Sequence, residues 1–222
     1  MQLGAMGGAG LLLTQRPSQG QPFIFGFAQS KSAAPTPPAH GAPDLFVGMR
    51  PRVGSGLSSP SDGGWTLWDS ASGTACSIGV YYKYATSSAE AWGTWSQTGG
   101  RRLLWVFRNA VIGHIAVTAL DTAAATTTLT WPALNGGSAF TGGASLVCSH
   151  FLTVTQQTAV TGHNPTGLDN IRFSDPNTST GNDGEICADT GTSLLTSYAG
   201  ETRTLDASSA YTVVIFSIAR RP

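Results

Sequence analysis

Charge is what this chain has least of: Asp, Glu, Lys and Arg make up 11% of its 222 residues, where an average soluble domain carries about 25%. Solubility then falls to Ser, Thr, Asn, Gln and Gly. Such a surface suits a subunit held in a large assembly better than a dispersed monomer, although an ordinary secreted β domain shares the composition. Formal net charge is zero and the arginines are scattered apart from Arg101-Arg102 and Arg220-Arg221, which leaves no basic tract for nucleic acid. Lysine is reduced to Lys31 and Lys83, a bias that reads as genomic rather than mechanistic. The three cysteines, Cys76, Cys148 and Cys187, are widely spaced and form no C-x-x-C pair, so neither a disulfide framework nor a zinc site is supported. Cys148, inside an apolar run, reads as a small buried hydrophobe. No stretch approaches the ~18 apolar residues of a membrane span, and residues 1–13 lack the basic start of a secretory signal. Reduced thiols and the missing signal fit assembly inside a cell, with no membrane insertion.

Catalytic signatures are missing as well. No G-x-S-x-G, P-loop or H-E-x-x-H occurs. His40, His114, His150 and His163 have no acidic partner at a suggestive spacing; His114 and His150 are expected to be satisfied residues of a sheet, and no metal or cofactor is predicted. The stretch from Asp175 to Glu185 carries oxygen ligands but not the ordered register of a calcium loop, and is expected to be an exposed turn.

What the sequence does have is alternation. In residues 77–84, Ile78, Val80, Tyr82 and Tyr84 alternate with Ser77, Gly79, Tyr81 and Lys83, the two-residue period of a half-buried strand. Further strands are predicted at residues 44–49, 65–70, 92–96, 101–108, 126–131, 145–154, 171–174, 184–188, 202–205 and 211–219. The runs 101–108 and 211–219 are apolar on both faces and are expected to lie inside a sheet. Residues 110–120 are ambiguous between helix and strand, and Gly113 with the β-branched density tips them to strand. Short strands joined by Gly, Asn, Asp and Ser turns predict an all-β antiparallel β-sandwich of jelly-roll-like kind with an extended N-terminal arm.

The domain expectation is an N-terminal anchoring arm over residues 1–29, a Pro-rich linker over 30–43 and the sandwich over 44–222. Leu3, Leu11, Leu12, Leu13, Phe23, Ile24, Phe25 and Phe27 are the predicted docking residues of the arm. Each large apolar side chain left in water forfeits roughly 1.5–3 kcal/mol, so a neighbouring protein is expected to cover them. The body is expected to survive loss of the arm but not of the last strand. Trp92, Trp95, Tyr81 and Tyr198 are the candidate receptor or glycan contacts, since flat amphipathic rings suit sugar faces and protein interfaces.

Gly64-Trp65-Thr66-Leu67 and Val80-Tyr81-Tyr82-Lys83-Tyr84-Ala85-Thr86, with the later runs 103–108 and 211–220, give the chain its likeness: it resembles the small β-rich virion proteins of tailed bacteriophages, in the minor-tail or tail-fibre group. The resemblance implies a non-enzymatic structural role in the virion, assembled in the host cytoplasm and anchored to other virion proteins by the arm. It also implies a homo-oligomer, a trimer being favoured, and contact with a host surface glycan. A capsid decoration or head-spike subunit is the alternative, and a carbohydrate-active enzyme using acids such as Asp175, Asp183 or Glu185 is the second.

Overall fold

The computed structural model describes residues 20–30, 34–96, 100–121, 124–158, 160–175 and 184–222. Its strands are β1 (Phe23–Ser30), β2 (Leu45–Met49), β3 (Arg52–Val53), β4 (Thr66–Ser72), β5 (Cys76–Tyr84), β6 (Arg102–Arg108), β7 (Ala110–Leu120), β8 (Thr126–Trp131), β9 (Leu146–Thr153), β10 (Asn170–Asp175), β11 (Glu185–Asp189), β12 (Glu201–Ser209) and β13 (Tyr211–Arg220). One antiparallel sheet runs β1-β6-β2-β5, with β3 continuing β2 along one side of β5 and β4 on its other side. The second runs β10-β11-β9-β13-β7. The all-β class and the packing of antiparallel sheets are those expected of the sequence.

Alternation decides which side chains meet. Leu45, Val47, Ile78, Val80, Trp105 and Phe107 of the first sheet face Leu146, Cys148, Val214, Phe216 and Ile218 of the second across one apolar layer. The opposite faces are not wet. On the outside of the second sheet, Phe151, Ile186, Val213 and Ile215 are covered by Leu129, Trp131 and Leu205 of a ribbon formed by β8 and β12. On the outside of the first, Phe46, Tyr81, Leu104 and Val106 are covered by Trp92 and Trp95 with Trp65 packed alongside. The sandwich therefore has an apolar layer between its sheets and one on the far side of each.

The 92–96 segment, expected as strand, is instead the loop that supplies the aromatic cover. The Trp92 and Trp95 rings stack at 4.7 Å, and the segment is tied down by a bridge from Trp95 to Pro60 and by Asp62 Oδ1 accepting the Thr94 N–H at 2.8 Å. A Cβ at Gly48 of β2 would stand 2.8 Å from Trp65 and 2.9 Å from Trp92, so the indoles reach the backbone only because that position is glycine. Lys83, expected on a wet face, is buried; its Nζ donates to Glu90 Oε1 at 2.7 Å and to the Ala91 carbonyl at 2.9 Å, 4.8 Å from the Trp65 ring centre.

The boundary between arm and body also moves. Phe23, Ile24, Phe25 and Phe27 belong to β1, which pairs with β6 along its whole length, so the sandwich begins about twenty residues before the expected Asp44. The chain covers these side chains itself: Phe27 packs edge-on to Trp105 at 4.8 Å. A bulge between Ile24 and Gly26 turns Phe25 outward, where the Arg108 guanidinium lies 3.9 Å from its ring centre. Part of the expected linker packs too, with Pro38 so close to Gly26 that a Cβ there would meet it at 2.4 Å. Leu3, Leu11, Leu12 and Leu13 lie outside the described residues.

Candidate functional site

The predicted glycan platform is not a surface. Tyr81, Trp92, Trp95 and Tyr198 are 7%, 2%, 8% and 8% exposed. Tyr81 lies beneath the aromatic cover of β5, and Trp92 and Trp95 are that cover, turned inward onto the sheet. Tyr198 fills the layer under the β8/β12 ribbon, where burial and the neighbouring Glu201 push its phenol up. Flat rings at turn positions look alike in sequence whether they face water or a sheet, and here the second strand layer claims them.

Polar side chains gather at two other places. The first is internal, at the end of the sandwich where β6 begins. Arg101 Nε donates to Glu185 Oε2 at 2.6 Å, its Nη2 to Asp175 Oδ2 at 2.9 Å and its Nη1 to Gln29 Oε1 at 2.6 Å. The guanidinium also stacks on Phe173 at 3.9 Å. The second Glu185 oxygen bonds His150 Nε2 at 2.9 Å. His150 is thus satisfied by a sheet neighbour at one nitrogen, while Nδ1 is buried with no partner among the described residues. One planar fork thereby joins both sheets and clasps the last residue of β10 and the first of β11. Asp175 and Glu185, named for the carbohydrate-active alternative, are both engaged in this clasp; Asp183 and the loop expected between them lie outside the described residues. Nothing in the sequence spacing links Arg101 to Glu185, because the contact depends on how the sheets stack.

The second place is a cleft of about 310 Å³ on the flank, formed by the segment before β10 and by Arg203 of β12. Thr161, Gly162, Asn164, Pro165, Thr166, Asp169 and Ile171 complete its lining. Glu201, Arg203 and Leu205 share the inward row of β12. Leu205 plugs the apolar layer, whereas Arg203 Nη2 donates to Thr166 Oγ1 at 2.5 Å and pairs with Glu201 Oε2 at 3.2 Å.

The three thiols are buried, and burial pushes each up, Cys76 to about 12 with help from Asp121. Thiols so placed stay protonated and unreactive. Among the described residues no three His, Cys, Asp or Glu side chains are grouped to hold a metal ion, and no helix is long and apolar enough to cross a membrane.

The two ends of the sandwich differ. A Cβ at Gly20 would stand 2.6 Å from the Arg220 guanidinium, Pro22 is buried, and Phe23 pairs with Arg108, so the described chain begins at the end bearing Arg108, Arg220 and Arg221. A cleft of about 250 Å³ lies there, lined by Ala42, Pro43, Asp44, Arg108, Asn109 and Arg221. The opposite end carries the β4–β5 turn, held where Asp121 Oδ1 accepts the Thr74 N–H at 2.5 Å, and the last residues of β7, β9 and β10. Comparison with protein-family models, curated proteins and solved structures gave no match.

Proposed function

We propose that the protein is a non-enzymatic structural subunit of a tailed-bacteriophage particle, of the tail-fibre or minor-tail kind, that docks by residues 1–19 and turns the far end of its sandwich toward the host surface. The observation that supports this most is the two-ended layout: Gly20, which follows an apolar leader in the sequence, lies beside Arg220 at one end, and the β4–β5 turn and the last residues of β7, β9 and β10 lie at the other. The residues that carry the phage resemblance agree with a structural role, since Trp65, Tyr81 and Lys83 hold the aromatic cover on β5. Weak surface charge agrees with a subunit screened by neighbours. The assembly is a homo-oligomer, a trimer being favoured, whose leaders engage other virion proteins.

The test is incorporation. Phage assembled with a subunit lacking residues 1–19 should contain none of it, although the truncated chain still folds; incorporation at the normal level refutes the docking role. Electron microscopy of complete particles separates the locations: density on the tail agrees with the proposal, and density on the head makes the protein a decoration or spike subunit.

A further inference from the structure

We infer that the cleft between β10 and β12 is a binding site for a neutral saccharide. This rests on the host-contact reading above, with the flank beside the start of β10 rather than the far end carrying the sugar contact, and on different atoms from those expected of the sequence. A sugar ring has a rim of hydroxyls that donate and accept hydrogen bonds, and an apolar C–H face. It is held where a few polar groups converge beside a small apolar wall in a concave site. The cleft, at about 310 Å³, lies at the low end of the ~300–1,000 Å³ of ligand sites.

The apolar wall has a specific origin. β10 pairs with β11 through a register shift between Ile171 and Phe173, and the extra residue sends these two side chains to opposite faces. Phe173 packs into the layer between the sheets, while Ile171 is turned out into the cleft and left 41% exposed. Bulges at sheet edges commonly re-aim a side chain in this way beside a functional site. Pro165 extends the wall.

The polar groups are complementary to hydroxyls. Arg203 lines the cleft, and its Nε, closed to water, has no hydrogen-bond partner among the described residues; a hydroxyl seated in the cleft accepts from it once the guanidinium turns outward, relieving a buried donor that is otherwise costly. Asp169 lines the same cleft as an exposed acceptor, and Thr161 offers a hydroxyl that acts either way, whereas the Thr166 hydroxyl is held between Arg203 and Glu201. Charge selects the class of sugar. Glu201 already pairs with Arg203, so Asp169 leaves the neighbourhood negative, which disfavours uronic and sialic acids and favours an uncharged ring. The base of the cleft is built: the buried Asn164 accepts from Ser149 Oγ at 3.3 Å and donates to the Leu168 carbonyl.

The experiment is a titration of the full-length, isotope-labelled protein with galactose, glucose, mannose and N-acetylglucosamine, singly and as their β-linked disaccharides, followed by NMR. At least one should shift the Arg203 Nε–H signal together with the amides of Thr161, Gly162 and Asp169. Asp169→Ala and Arg203→Ala should each weaken binding about tenfold, the scale of a lost hydrogen bond, and Ile171→Tyr should strengthen it by enlarging the wall. Asp169 is exposed and has no hydrogen-bond or ion-pair partner among the described residues, so its replacement keeps the fold intact. No shift at millimolar sugar overturns the inference, as does binding confined to glucuronate or sialic acid, or binding unchanged in both alanine variants. Particle localisation without sugar binding removes the cleft and spares the virion role; sugar binding by a protein absent from particles does the reverse.

Discussion

At Arg101 a single guanidinium satisfies Glu185, Asp175 and Gln29 in a space almost closed to water. Removing it strands the buried Glu185 beside His150, and a buried ion without its partner costs about 3–5 kcal/mol. Arg101→Met should lower the unfolding free energy by that amount in urea titration, and pairing it with Glu185→Gln should return much of the loss. Asp44 behaves differently because its network responds to pH. Burial pushes its carboxyl up, but the hydrogen bonds from Arg108, at 2.8 and 3.0 Å, and from Gly41, with the charges of Arg108 and His40, outweigh burial and bring it below the ordinary value. A carboxylate depressed on folding adds stability above its unfolded value of about 3.9 and loses it as pH falls through the lower folded value. Asp44→Asn should therefore be less stable than wild type at pH 7, and the difference should vanish toward pH 2; a pH-independent difference would refute this account.

Among the elements, β1 divides the part needed for folding from the part proposed to dock. Deleting residues 1–19 should leave the melting temperature unchanged, whereas deleting residues 1–30 removes the strand paired along β6 and uncovers Trp105. Phe27→Ala should cost about 1–2 kcal/mol, less than the 3–5 of a fully buried phenylalanine, because Phe27 is only half-buried. β5, β6, β7 and β13 were legible in the sequence because alternation or β-branched density marks them directly. The outer face of β5 was not. Ser77, Gly79, Tyr81 and Lys83 have the composition of a wet face, and the rings that cover them come from residues 65 and 92–95, whose position no local pattern reveals. β1 was misassigned for the same reason: its partner β6 lies about eighty residues downstream, so its phenylalanines look orphaned along the chain. Of the candidate site, Asp169 and Arg203 were invisible because a ribbon and a bulge bring them together.

For the whole molecule, three apolar layers around two sheets explain how a chain with 11% charged residues assigns its aromatics to the interior rather than to a contact patch. If the proposed trimer forms, the leader is the apolar segment left to hold it together as well as to dock it. Sedimentation of the full chain should show a trimer, and the chain lacking residues 1–19 a monomer; a full-length species that stays monomeric at every concentration removes the oligomer from the proposal. The place of β13 between β9 and β7 also has a consequence for synthesis. Both flanking strands leave the ribosome long before their common partner exists, with facing edges that nothing else fills. The nascent chain must therefore wait, greasy and unzipped, until residues 211–220 emerge, and a chaperone that shields it during that interval would govern the yield of folded protein.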